Sequence, residues 1–358
     1  MKIIDYYIIK KFLGTFFFAI SLLILIVIIF DISEKIDDFL NNNAPLDEIL
    51  FSYYLNFIPY FINLFSYLFT FIAVIFFTSK MAYNSEIISI LSSGVSFWRM
   101  LVPYLISAIL LGSLSFYLAN FLIPNTNKVM LEFEHRYIKS PYKETNLNIH
   151  MQIKPGSFIY LQSFNNTTDM GFKFSLEEFR DGELVFKLMA DRIEWDSVSG
   201  TWKIRNFFIR EINGLEEKIV RGEEMDTLIN LTPKDFEVAV EEVKTMTFSE
   251  LRRFIEKERL KGSENVSEYE VEKHKRMADP FSAVIMTLIG VSLSSRKVRG
   301  GIGMQLGIGI FITFTFILFM QVSTVFATQG NLSPALAAWI PNIIFGVLSL
   351  YLLRIAPK

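Results

Sequence analysis

Long uninterrupted apolar runs dominate this chain, in two groups of three separated by a polar segment with a two-residue period. The first run, Phe12 to Phe30, contains no ionisable residue. The second extends from about Phe51 to Thr78 and is interrupted only by Pro59, and the third occupies about Met100 to Ile123. After Pro124 charged residues dominate until about Arg276. Further runs follow at about Pro280 to Leu293, Ile302 to Thr328 and Leu332 to Leu353. A hydrocarbon layer roughly 30 Å thick requires about 20 apolar residues of a helix, so six spans are predicted. Pro59 is a tolerated kink, and the short fourth run draws on its flanks. The first run exceeds the roughly 7–15 residues of a signal-peptide core. It is followed by Asp31, Glu34, Asp37 and Asp38 rather than a small-residue cleavage site, so a retained span is expected.

The insert, roughly Asn125 to Glu250, reads as antiparallel β. Phe172, Phe174 and Leu176 alternate with Lys173, Ser175 and Glu177, and Trp202 and Ile204 alternate with Lys203 and Arg205. That period marks a strand with one wet face. Turn signals at Asp181-Gly182, Ser199-Gly200 and Asn213-Gly214 are spaced for a meander or sandwich. Thr247 and Glu250 have capping-box spacing, and Leu251, Phe254 and Ile255 share a helical face, which predicts a helical connector. The expected organisation is membrane α plus β. Residues 1–124 hold spans one to three with a loop helix at about 84–97, 125–250 the β-domain, 251–276 the connector, and 277–358 spans four to six.

Basic residues of the short loops fix an orientation. Lys2, Lys10, Lys11, Lys80, Arg99, Arg296, Lys297, Arg299, Arg354 and Lys358 all fall on one side of six spans, which makes both termini cytoplasmic. The acidic loop Asp31 to Glu48 and the β-domain fall on the other. Composition adds exclusions: 51% hydrophobic residues, mean hydropathy +0.36, net charge -2 and pI near 6.1 give no basic footprint for nucleic acid. With no cysteine, disulfides, thiol nucleophiles and Cys-based zinc sites are excluded.

The apolar runs carry no Asp, Glu, Lys, Arg or His in their interiors. Ion-coupled transporters and intramembrane hydrolases place such groups inside the membrane, so the driving force is expected from a separate subunit. No G-x-x-x-x-G-K-[ST] is present, and no cofactor is expected on this chain. His135, His150 and His274 are scattered without metal spacing. Gly300, Gly301, Gly303, Gly307 and Gly309 open an apolar span rather than follow a strand, and Gly303 and Gly307, four apart, suit close helix packing or a sliding helix.

The loop Asn84 to Gly94 is the candidate coupling element. Ser85 can cap a helix, Glu86 sits in its favourable first turn, Ile87, Ile90 and Leu91 share one face, and Gly94 can end it. A helix lying on the bilayer usually carries basic residues along its polar face. This one has one acid and several serines, which suits seating in a protein groove.

At this point the chain resembles the LptF/LptG permeases of the lipopolysaccharide export ABC transporter. The likeness is carried by Asp5-Tyr6-Tyr7-Ile8, Ser85-Glu86 through Gly94, Phe158-Ile159-Tyr160, Asn230-Leu231-Thr232-Pro233, and Lys275-Arg276 before Pro280. The opening residues and Asn230 to Pro233 look more like LptG than LptF. The resemblance implies a jellyroll-like periplasmic domain, a second LptF/LptG-type permease, an LptB-like ATPase dimer that binds the ATP, and LptC-like and LptA-like lipid-transfer proteins in the periplasm. It also implies a bacterial inner-membrane location, gates made by the first and fifth spans, and coupling to the ATPase through Glu86 with Ile87, Ile90, Leu91 and Gly94. Some members carry a basic residue where this chain has Asp31, so no phosphate-binding role transfers there. Competing readings are a mechanotransmitting ABC subunit, which usually places its large domain between spans one and two, and a membrane-bound lipid-modifying enzyme using acids such as Asp191 and Glu194.

Overall fold

The computed structural model describes residues 3–138, 145–165, 168–197, 199–214, 216–229, 231–236, 242–263, 265–296 and 301–356. Of the residues singled out above, Lys2, Asn230, Lys297, Arg299, Gly300 and Lys358 lie outside the described set. The chain forms two compact units, one of residues 1–138, 244–248 and 267–358, the other of residues 139–243 and 249–266.

The first unit contains six helices long and apolar enough to cross a membrane. They are α1 (Ile3–Asn41), α2 (Leu46–Tyr83), α4 (Phe97–Tyr137), α6 (Val266–Ser294), α7 (Gly301–Thr328) and α8 (Pro334–Ile355), with the loop helix α3 (Glu86–Ser92) between the second and third spans. The helix α1 has 39 residues, about 59 Å at 1.5 Å per residue, so it outreaches the hydrocarbon layer. The short fourth run is likewise lengthened: α6 starts at Val266 and has 29 residues. The stretch 251–276, expected as a helical connector, comprises most of α5 (Phe248–Lys261), which begins directly after Thr247, and the first part of α6. The chain turns between them at Gly262, whose φ is +73°.

The compositional change at Pro124 does not end a helix. A π-turn at Leu118–Leu122 precedes the proline, and α4 continues to Tyr137. Proline removes a donor from the ladder, and polar side chains take up nearby carbonyls: Asn120 Nδ2 donates to Phe116 O, Asn125 Nδ2 to Phe121 O and Thr126 Oγ1 to Ile123 O.

Lipid offers no hydrophobic drive between helices, so their association rests on close van der Waals contact and interhelical hydrogen bonds. Ile8, Phe12, Phe16 and Ile20, one stripe of α1, pack with Val74 and Phe77 of α2 and Met100 and Tyr104 of α4. Thr78 and Tyr104 share a buried hydrogen bond of 3.1 Å, Ser115 Oγ donates to Asn63 Oδ1 at 2.7 Å, and Asn342 Nδ2 donates to Ala278 O at 2.9 Å. Buried Arg276 pairs with Glu272 at 3.0 Å and donates to Met246 O at 2.6 Å, so the Lys275-Arg276 motif anchors α6 to the segment before α5.

The second unit is built on a six-stranded antiparallel sheet in the order β1 (Thr145–Lys154), β2 (Ser157–Asn165), β3 (Met170–Arg180), β4 (Glu183–Asp196), β5 (Thr201–Asn213) and β6 (Glu216–Thr227). Neighbours in sequence are neighbours in space, the meander of the two arrangements that the turns allowed. Among the described strands none crosses over as in a Greek key, which refines the jellyroll-like expectation. The reason lies in the short connections: Asp181 and Gly182, at φ +54° and +86°, form a two-residue turn of the type whose twist matches a hairpin. The core holds Leu161, Phe164, Phe174, Trp202 and Ile204, closed by Leu231 and Phe236, with Trp202 Nε1 donating to Leu231 O at 2.9 Å. The expected alternation holds in β5 and slips in β3. Lys173 adopts φ +53°, and Phe172 is left exposed on the slipped side.

Candidate functional site: the loop helix and its braces

The loop helix begins at Glu86, as the pattern predicted, but Ser85 does not cap it with its side chain. Ser85 sits at φ +65°, and its hydroxyl makes no cap hydrogen bond. Glu86 supplies the favourable charge at the helix start instead, and its carboxylate is held on both oxygens. Tyr7 Oη donates to Oε2 at 2.9 Å, and Asn84 Nδ2 donates to Oε1 at 3.3 Å. At the other end Gly94, at φ +85°, takes the left-handed conformation that glycine adopts without strain at a helix C-terminus.

Ile87, Ile90 and Leu91 do share a face, and that face points inward. Ile87 is fully buried, and Ile90 and Leu91 pack against the same cluster that contains Phe12, Phe77 and Tyr104. Their role in this chain is to fasten α3 to its own spans. The outward face is Ser85, Ile88, Ser89 and Ser92, spaced i, i+3, i+4, i+7, with Ile88 57% exposed. Four hydroxyl and alkyl groups without a charge among them make a surface suited to contact with protein.

A second brace holds the same end of the unit. Asp5 on α1, buried, accepts two hydrogen bonds from Arg99 in the first turn of α4. Ser96 Oγ in turn caps that turn by accepting from Arg99 N. The opening motif Asp5-Tyr6-Tyr7-Ile8 is therefore attached by Asp5 to Arg99, by Tyr7 to Glu86 and by Ile8 to the helical core. Charge spacing along one helix could not have revealed the first two, because the partners lie 94 and 79 residues away.

The family model described as "Lipopolysaccharide export system permease LptF/LptG" matches residues 6–355. The chain belongs to the LptF/LptG family. A search of curated protein sequences returned no match. As a member of a permease family with six membrane-capable helices, it is a multi-pass membrane protein of the lipopolysaccharide export class.

Within this LptF/LptG chain the spans are unequally covered. Only 22% of the most apolar stretch of α1 and of α7 is buried, against 39–56% in the other four spans. Leu22 and Leu25 of α1 and Phe311 and Phe314 of α7 are exposed. Gly303 and Gly307 also face open space, since a Cβ added at either meets nothing within 4 Å. Close approach within the chain occurs elsewhere: a Cβ at Gly112 would lie 2.8 Å from Pro280 O, and one at Gly309 would collide with the tip of Ile75.

Asp31 is engaged inward. It accepts from Tyr53 Oη at 3.2 Å and Tyr54 Oη at 3.1 Å and pairs with Lys35 at 2.9 Å. The acids considered for catalysis sit in ion pairs on the sheet, Asp191 with Lys173 at 2.7 Å and Glu194 with Arg192 and Arg205 at 2.9 and 3.4 Å. The Lys173 amine holds the Asp191 carboxyl below its usual range. Among the described residues no group of three His, Asp or Glu could hold a metal.

Proposed function

We propose that this chain is one of two permease subunits that extract lipopolysaccharide from the bacterial inner membrane, driven by a separate ATPase dimer. The observation that carries the reading is the pair of thinly covered spans, α1 and α7, much of whose apolar surface is left uncovered among the described residues. A second LptF/LptG-type permease facing them would enclose a cavity with apolar walls for acyl chains. Gly303 and Gly307 leave α7 free of side-chain bulk where such a neighbour would approach. The likeness of Asp5 to Ile8 and of Asn230 to Pro233 favours the LptG type. The β-unit would lie in the periplasm with both termini cytoplasmic, as the loop lysines and arginines direct, and would pass lipid to LptC-like and LptA-like proteins.

Coupling to the LptB-like ATPase would run through α3. Its outward face of Ile88, Ser89 and Ser92 would seat on the ATPase. Glu86, bonded here to Tyr7 and Asn84, would exchange those neutral donors for a basic side chain across the groove, where a charge-assisted bond is stronger. The inward Ile87, Ile90 and Leu91 would carry the motion into the spans, and Gly94 would let the loop turn back.

Photocrosslinkers at Leu22, Leu25, Phe311 and Phe314 of the assembled transporter test the cavity. Lipopolysaccharide should be captured from both helices, and capture should change on ATP addition. A relay subunit would capture none along its spans, and that result would overturn the proposal. Glu86→Lys, stably expressed, should leave the ATPase running while lipid release falls; full release with normal ATPase would remove the coupling role.

A further inference from the structure

A groove of about 550 Å³ opens between α1 and α2 beside the loop helix, lined by Tyr7, Lys10, Lys11, Gly14, Thr15, Phe18 and Phe76. Tyr7, Lys11, Gly14 and Phe18 follow one another along a helical stripe. Both lysines are exposed, and among the described residues neither forms an ion pair; Lys11 Nζ lies 5.7 Å from the Tyr7 ring centroid. Gly14 leaves the middle of the groove open, because a Cβ there meets nothing within 4 Å. Phe18 and Phe76 are exposed beyond it.

The groove is thus graded along the helix, cationic at one end and aromatic at the other. From Lys11 to Phe18 the rise is about 10 Å, the depth from a headgroup to the upper acyl chain. We propose that this groove binds an anionic phospholipid, its phosphate between Lys10 and Lys11 with the Thr15 hydroxyl nearby, and one acyl chain laid past Gly14 onto Phe18 and Phe76, while the Tyr7 hydroxyl stays on Glu86. The charge matches: two unneutralised cations at a membrane interface attract anionic lipid. The apolar floor distinguishes a lipid from a free phosphate. The groove lies on the α1 stripe that continues through Leu22 and Leu25, at the end away from the cavity proposed for exported lipid, and it rests on the orientation proposed above for the choice of leaflet, which is the cytoplasmic one.

The test uses the full chain in phosphatidylcholine vesicles, with Trp98 and Trp339 replaced by Phe and a reporter at Phe76→Trp. Dibromo-phosphatidylglycerol should quench the reporter more strongly than dibromo-phosphatidylcholine at the same mole fraction. Removing each lysine, as Lys10→Gln and Lys11→Gln, should lower that preference roughly fivefold. Gly14→Leu, which fills the groove without touching a charge, should weaken quenching by both lipids. Equal quenching by the two lipids in the unmutated groove, or a preference that survives loss of both lysines, would overturn the proposal. So would a reporter shielded from both lipids when the chain is assembled with its ATPase and second permease, because a protein neighbour would then fill the groove. None of these outcomes bears on whether lipopolysaccharide is exported, which the crosslinks on α1 and α7 read independently.

Discussion

Arg99 clasps Asp5 with two parallel hydrogen bonds, Nη1 to Oδ1 and Nη2 to Oδ2, both 2.7 Å, and so ties the start of α1 to the start of α4. The pair is asymmetric: the Asp5 side chain is 7% exposed and that of Arg99 37%. Removing the arginine takes the bidentate cation away from a buried carboxylate, whereas removing both charges leaves no carboxylate there to compensate. Arg99→Gln should therefore lower the melting temperature of the purified transporter more than Asp5→Asn with Arg99→Gln together. Arg99→Lys should rescue only in part, because an ammonium cannot reproduce the planar fork. A double variant as unstable as the single would show that the brace contributes through something other than charge pairing.

The hydrogen bond from Tyr7 to Glu86 joins α1 to the loop helix. Tyr7→Phe keeps the ring and deletes the donor, so the fold should persist while Glu86 loses one of its two fixing bonds. Lipid release per ATP hydrolysed should fall several-fold, with a smaller effect on the ATPase rate itself. The measurement is paired lipid-release and phosphate-release assays in proteoliposomes, and unchanged stoichiometry would separate Tyr7 from coupling.

These contacts explain what could and could not be read along the chain. Apolar runs of span length and the Asp181-Gly182 turn are local signals, so the six helices and an antiparallel sheet were legible, while the choice of a meander over a sandwich was not. So was the helix start at Glu86, because favourable charge in a first turn is local too. What covers a helical face is not local: Ile87, Ile90 and Leu91 form a face whichever way it turns, and the cluster around Phe12 and Tyr104 decides that it turns inward. The helix running on through Pro124 depends on a π-turn and on Asn and Thr side chains bonding back to carbonyls, which composition masks as a domain boundary. Gly303 and Gly307 have packing spacing, yet the close approach falls on Gly112 and Gly309, because the neighbouring helix and not the spacing selects the glycine.

That selection is testable. Gly112 of α4 lies against the backbone carbonyl of Pro280 in α6, and a Cβ there would sit at 2.8 Å from an atom that cannot rotate away. Gly112→Val should force the two helices apart and cost about 1–3 kcal/mol, read as a fall in thermal stability of the solubilised chain. Gly303→Ala, facing open space, should leave that stability unchanged while testing the contact with a second permease: loss of copurification without loss of stability is the expected signature of an interface.

The β-unit should weaken in acid for reasons visible on its surface. Lys154, 2.8 Å from Glu178, holds that carboxyl below its usual value of 4.5, with Ser157 donating a further hydrogen bond. Arg210 does the same for Glu217, with Nε 3.0 Å from Oε2. A carboxyl whose pKa is depressed by folding adds stability above its unfolded value and loses it as pH falls through the folded value. Stability of the sheet should therefore be level from neutrality down to about pH 4.5 and decline below it. Both pairs are open to solvent, so high salt should soften the decline. Urea unfolding of a chain with Trp98 and Trp339 replaced by Phe, followed through Trp195 and Trp202 emission, reads the sheet alone. Replacing Lys154 by Gln should flatten the slope between pH 4.5 and more acid conditions. An unaltered slope would assign the acid sensitivity to other carboxylates of the sheet.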